Sequence, residues 1–205
     1  MKRVIALITL ILVFATLLTS CEVNGGTGNV PVETIHEKLN RMVESSGSSM
    51  TVKITTDDEG KVLESVYRIS NENAGKRVAY TEERFSEFKG ENGEFIIPES
   101  YKYTLSGEVL IADGAIVESS GDSFSMDLKN LSYPEFNFKS EYFISAKDND
   151  GVFEALVISP SRFLNRETTC TDMTVSVSYG EKISNILLSY KEYNGPDVTI
   201  RYTFN

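Results

Sequence analysis

The chain has 205 residues, with 20 Lys and Arg against 30 Asp and Glu for a formal charge of −10, 11 Phe, 10 Tyr, no Trp, two Cys and a single His. That acidic balance excludes the Lys and Arg clusters that hold nucleic acid, and with them a polybasic grip on anionic lipid headgroups. The length suits one domain with a sizeable core.

Residues 1–21 have the layout of an export leader. Lys2 and Arg3 give a positive start, residues 4–18 are apolar apart from Thr9 and Thr16, and small residues precede a cysteine. The apolar run is shorter than the roughly 20 residues a membrane-spanning helix needs. Leu18-Thr19-Ser20-Cys21 resembles the lipobox of bacterial lipoproteins. The resemblance implies cleavage before Cys21 after a diacylglycerol has been attached to its thiol, so that acyl chains hold the protein on a membrane without spanning it. Glu22 is not the aspartate associated with inner-membrane retention in such proteins, which leaves cell membrane and outer membrane both open. Without residues 1–20, which carry two basic and no acidic side chains, the remaining 185 residues hold 18 basic and 30 acidic groups, a charge of about −12.

Residues 21–31 follow as the lipidated cysteine and a tether whose Gly25-Gly26-Thr27-Gly28-Asn29 has the composition of a flexible linker. A single β-rich domain is expected over residues 32–205. It opens with an amphipathic helix over residues 32–46, because Ile35, Leu39, Met42 and Val43 recur on one face and Thr34-x-x-Glu37 has capping-box spacing. Beyond it the period drops to two. Met50, Val52 and Ile54 alternate with Thr51, Lys53 and Thr55, and an acidic turn at Asp57-Asp58-Glu59-Gly60 leads into a returning strand over residues 62–69.

Further strands are expected over residues 77–85, 94–97, 101–105, 108–112, 115–119 and 123–128, with Asp113-Gly114 as the sharpest hairpin signal. Residues 129–147 carry five aromatic rings around Pro134 and fit a loop or a short helix. Residues 152–158 again read as a strand, and Ser159-Pro160 starts a short helix or turn. Residues 173–179, 183–190 and 198–204 alternate well enough for a three-strand antiparallel meander. Met173-Thr174-Val175-Ser176-Val177-Ser178 echoes Met50-Thr51-Val52-Lys53-Ile54-Thr55, which either a duplication or shared strand chemistry explains.

These elements predict an α+β fold in which the N-terminal amphipathic helix packs on a curved, mostly antiparallel, half-barrel-like sheet. With its lipobox, glycine-rich tether, leading helix and closing meander (Met173-Thr174-Val175, Ile183-Ser184-Asn185-Ile186-Leu187-Leu188 and Val198-Thr199-Ile200), the chain resembles the LolA-like and related lipid-carrier lipoproteins. That resemblance implies a half-barrel sheet covering a hydrophobic cavity. The absence of tryptophan and the acidic body depart from it.

No catalytic motif is complete in the sequence. His36-Glu37 starts like a zinc-protease helix, but no second histidine exists to complete it. Cys170 lacks a histidine nearby in sequence, and Cys21 is taken by lipidation, so no intrachain disulfide is expected. Asp57-Asp58-Glu59-Gly60 and Asp148-Asn149-Asp150-Gly151 lack EF-hand spacing and read as turns, and Ser86-Glu87-Phe88-Lys89 lacks the companions of a serine-lysine enzyme. The sequence therefore predicts a non-enzymatic, lipid-anchored envelope protein with no metal or cofactor. It would bind an apolar or amphipathic ligand, such as lipid, between Ile35, Leu39 and Met42 on the helix and Phe136, Phe138 and Phe143 in the aromatic stretch. The alternative is a solidly packed structural or protein-interaction module of the envelope.

Overall fold

Alternating apolar and polar residues run through most strands, and in the computed structural model they place a largely apolar inner face on a single ten-stranded sheet. The structure describes residues 32–44, 49–85, 88–89, 95–96, 102–124 and 134–205. Residues 1–31, with the leader, Cys21 and the tether, lie outside the described residues. So do residues 86–87 and 125–133, and the side chains of Leu39 and Met42.

The strands are β1 (Met50–Asp58), β2 (Lys61–Glu72), β3 (Gly75–Phe85), β4 (Phe88–Lys89), β5 (Phe95–Ile96), β6 (Lys102–Ala112), β7 (Ala115–Gly121), β8 (Phe143–Asn149), β9 (Val152–Val157), β10 (Thr171–Tyr179), β11 (Ile183–Lys191) and β12 (Asp197–Phe204). Strands β4 and β5 pair only with each other. The other ten lie in the order β7-β6-β3-β2-β1-β12-β11-β10-β9-β8, each antiparallel to its neighbours. Two meanders thus meet at a central seam, where Met50 pairs with Phe204 and Asp57 with Asp197.

Turn chemistry accounts for the hairpins. Glu59-Gly60 and Asp113-Gly114 both have positive φ at the two central positions (52° and 88°, 50° and 76°), as type I′ turns require. Asp150-Gly151 turns β8 into β9 in the same conformation, at 47° and 90°. The separate strands expected over residues 101–105 and 108–112 are one strand, β6. Gly107, taken as a break, sits inside it because Tyr80 of the neighbouring strand lies over it. A Cβ added at Gly107 would meet the Tyr80 hydroxyl at 2.5 Å and the Ser120 carbonyl oxygen at 2.4 Å.

The α+β expectation is overturned. Among the described residues only one helix has seven or more residues, α1 (Val32–Glu44), and the body is mostly antiparallel sheet. Thirteen residues make a helix of about 20 Å, whereas ten strands spread over roughly 43 Å. Helix α1 adds Val32 and Ile35 to the core and is tied to the β10–β11 turn by the Lys38 ammonium, which donates to the Gly180 and Glu181 carbonyls. It cannot form a second layer over a sheet of that width. A second short helix, α2 (Pro160–Phe163), begins with proline at its first turn, and the Ser159 side chain makes no cap.

The stretch left open between loop and helix proves to be neither alone. Residues 134–139 are irregular, Ser140–Tyr142 form one 3-10 turn, and Phe143 starts β8. The echo between residues 50–55 and 173–178 does not mark equivalent strands, since β1 lies at the seam and β10 two strands beyond β12. Cys170 is a free thiol packed half-buried against the core.

Candidate functional site

The inner face is read most directly along its pairing rows. One row runs Phe153, Val177, Ile186, Tyr202, Val52, Tyr67, Tyr80 and Gly107 from β9 to β6. The next runs Ala155, Val175, Leu188, Ile200 and Ile54, then turns polar at Ser65 and Glu82 before Leu105. The two meanders therefore present different chemistry on one surface.

Over β8 to β12 the face is filled by rings. Phe136, Phe138, Phe143, Phe153 and Phe163 pack on one another with centroids 5.1–6.4 Å apart, Phe136 stacking on Phe163 and meeting Tyr202 edge-on at 5.9 Å. Phe153 and Phe163 are fully buried. Residues 134–138 are held there partly by the Asn137 amide, which donates to the Phe163 carbonyl at 2.8 Å, satisfying an acceptor that the end of α2 leaves open.

Over β1 to β3 and β6, the inner face carries a carboxylate. Glu82 is 3% exposed, accepts from the Tyr67 hydroxyl at 3.1 Å and pairs with the Arg84 guanidinium at 2.7 Å. Burial first, and then the neighbouring Glu82 charge, push the Tyr67 phenol well above its ordinary range. Phe124 closes on this side, edge-on to Tyr67 at 6.3 Å and to Tyr80 at 5.0 Å. Tyr80 donates its hydroxyl to the Asp122 carbonyl. On the outer face of the same strands Lys102 lies 2.8 Å from Glu83 and holds that carboxyl below its ordinary value, chiefly through their hydrogen bond.

A groove of about 390 Å³ lies between α1 and the irregular segment, lined by His36, Asn40, Pro134, Glu135, Phe136, Asn137 and Asn165. His36 and Asn40 are four apart on α1 and so share one helix face. Asn165 follows the C-terminus of α2 at φ 51°, the left-handed conformation asparagine tolerates there. Among the described residues the Nδ1 of His36 is buried with no hydrogen-bond partner.

Of the sequence-derived ligand residues, Phe136, Phe138 and Phe143 come together in the ring cluster, and only Phe136 also borders the groove. Ile35 is fully buried in the core from α1. Sequence reasoning passed over Glu82, although its parity with Val78 and Tyr80 on an alternating strand already placed it inward. It also passed over Asn40, Asn137 and Asn165, which carry no periodic signal. Among the described residues no group of three or more His, Cys, Asp or Glu side chains comes together, and no helix is long and apolar enough to cross a membrane.

No family model and no curated protein matches this chain. Among solved structures, the crystal structure of a DUF1329 family protein from Desulfovibrio piger aligns with 85% of this chain and 92% of its own length, at 11% identity and a TM-score of 0.28.

Proposed function

We propose that this chain is a non-enzymatic envelope lipoprotein, anchored through acyl chains on Cys21, whose domain binds an amphipathic ligand in the groove between α1 and residues 134–137. The groove carries this reading. Its volume of about 390 Å³ lies in the range of small-molecule sites, and it combines the Phe136 ring with polar side chains on two separate elements. The ring cluster behind it gives a rigid back wall, since Phe136 is stacked on the fully buried Phe163.

A second reading, an envelope interaction module, is favoured by the edge strand β7. All seven of its residues are exposed, including Ile116 at 42% and Val117 at 55%, and an edge of this kind offers unpaired backbone groups to a further strand.

One experiment addresses both readings. The full-length chain and a Cys21→Ser variant are expressed in a bacterial host, the envelope is fractionated, and the body from residue 22 onward is weighed by native mass spectrometry before and after denaturation. The wild type is expected in the membrane fraction and Cys21→Ser to lose its acyl mass, with a lipid-class adduct released from the body on denaturation. A wild type without acyl mass overturns the anchor. A body that stays adduct-free after incubation with total membrane lipid overturns the ligand reading and leaves the β7 edge as the functional surface.

A further inference from the structure

The lining of the groove identifies the polar end of its ligand. Three of its side chains, Asn40, Asn137 and Asn165, are primary amides, each offering two donors and an acceptor side by side. Among the described residues no lysine or arginine lines it, so there a phosphate or sulfate head would lack the cations that recognise such groups. A quaternary ammonium head would need a cage of aromatic rings, and among the described residues Phe136 is the one ring in the lining. A bare acyl chain would need mostly apolar walls, whereas among the described lining residues Pro134 and Phe136 alone are apolar.

We infer that the groove recognises a neutral, polyhydroxylated head: a saccharide, carried on a glycolipid or free. Adjacent hydroxyls of a pyranose are at once donors and acceptors, which paired amide N–H and C=O groups match without any charge. Glu135 adds an acceptor, His36 adds an imidazole, and Pro134 with Phe136 form the small apolar patch that the C–H face of the ring covers. His36 and Asn40 come from α1 while Asn137 comes from the segment fixed on α2, so a bound head bridges the helix to the sheet.

This inference rests on the groove being the ligand site, and the test separates the two. The body from residue 22 onward contains every residue of the core cluster and every strand of the sheet. It is titrated by calorimetry with maltose, with dodecyl maltoside and with dodecylphosphocholine, both amphiphiles below micelle formation. Dodecyl maltoside is expected to bind at least tenfold tighter than dodecylphosphocholine, and Asn137→Ala and Asn40→Ala each to weaken it by about tenfold. Neither change need disturb the fold, because the Asn137 hydrogen bond to Phe163 uses its backbone amide and Asn40 is exposed on α1. Unaltered melting temperatures check this. Equal binding of the two amphiphiles, indifferent to both variants, overturns the saccharide and leaves the amphipathic ligand standing. Maltose binding as tightly as dodecyl maltoside keeps the saccharide as a free glycan and removes the tail. Binding of none overturns both.

Discussion

The two meanders share one sheet and one pleat, yet they solve burial differently. From β8 to β12 the inner face is covered by five phenylalanine rings, three of which come from outside the strands they cover, and ring packing dominates their hold. From β1 to β3 and β6, the same face carries Tyr67, Tyr80, Ser65 and Glu82, held by directed hydrogen bonds and an ion pair. The ring-packed half depends on close packing of large rings; the polar half depends on a few fixed distances. The groove borders the first of these, with α1 as its other wall.

The largest effect should come from removing the ring at the centre of the packed half. Phe163→Ala is expected to cost about 3–5 kcal/mol in urea unfolding, because Phe136, Phe138 and Phe143 all lose a partner. A loss under about 1 kcal/mol would show that the cluster collapses freely and that the contrast between the halves is overstated. In the polar half, Gly107→Ala is expected to cost about 1–3 kcal/mol, since the new Cβ meets both the Tyr80 hydroxyl and the Ser120 carbonyl. A Tyr80→Phe, Gly107→Ala double variant should recover part of the loss if the hydroxyl is the obstacle.

The smallest effect is a pH dependence. Burial raises the Tyr202 phenol to about 12, and it pushes Tyr67 higher still with help from Glu82. The fold therefore favours the neutral phenols. Their contribution is complete below the ordinary tyrosine value near pH 10, and the Tyr202 share is lost as pH rises through about 12. Melting temperature should be flat up to about pH 10 and then fall, with tyrosinate absorbance rising alongside unfolding. Tyr202→Phe should soften the fall, and an unchanged profile in that variant would remove Tyr202 from the account.

Much of the local structure was legible because it is set by neighbours in sequence. Asp113-Gly114 announced its hairpin, and Val175, Val177, Ile186 and Leu188 announced an inward face. What was not legible depends on partners far along the chain. Gly107 looked like a break until Tyr80 was seen above it, and the helical period of residues 32–43 revealed an apolar stripe but not how little of a ten-stranded sheet it could cover. The groove was half visible: Phe136 was singled out as an aromatic ring, while the asparagines beside it have no pattern that distinguishes them from loop residues.

The seam between β1 and β12 also dictates an order of events. Each meander can zip from local hairpins, but the strand that joins them in the middle of the sheet, residues 197–204, is the last of the ten to be synthesised. Its partner β1 was made some 150 residues earlier, the slowest kind of contact to establish. Until β12 pairs with β1, the inner edges of both halves are open, so the two meanders become one sheet only through this long-range pairing.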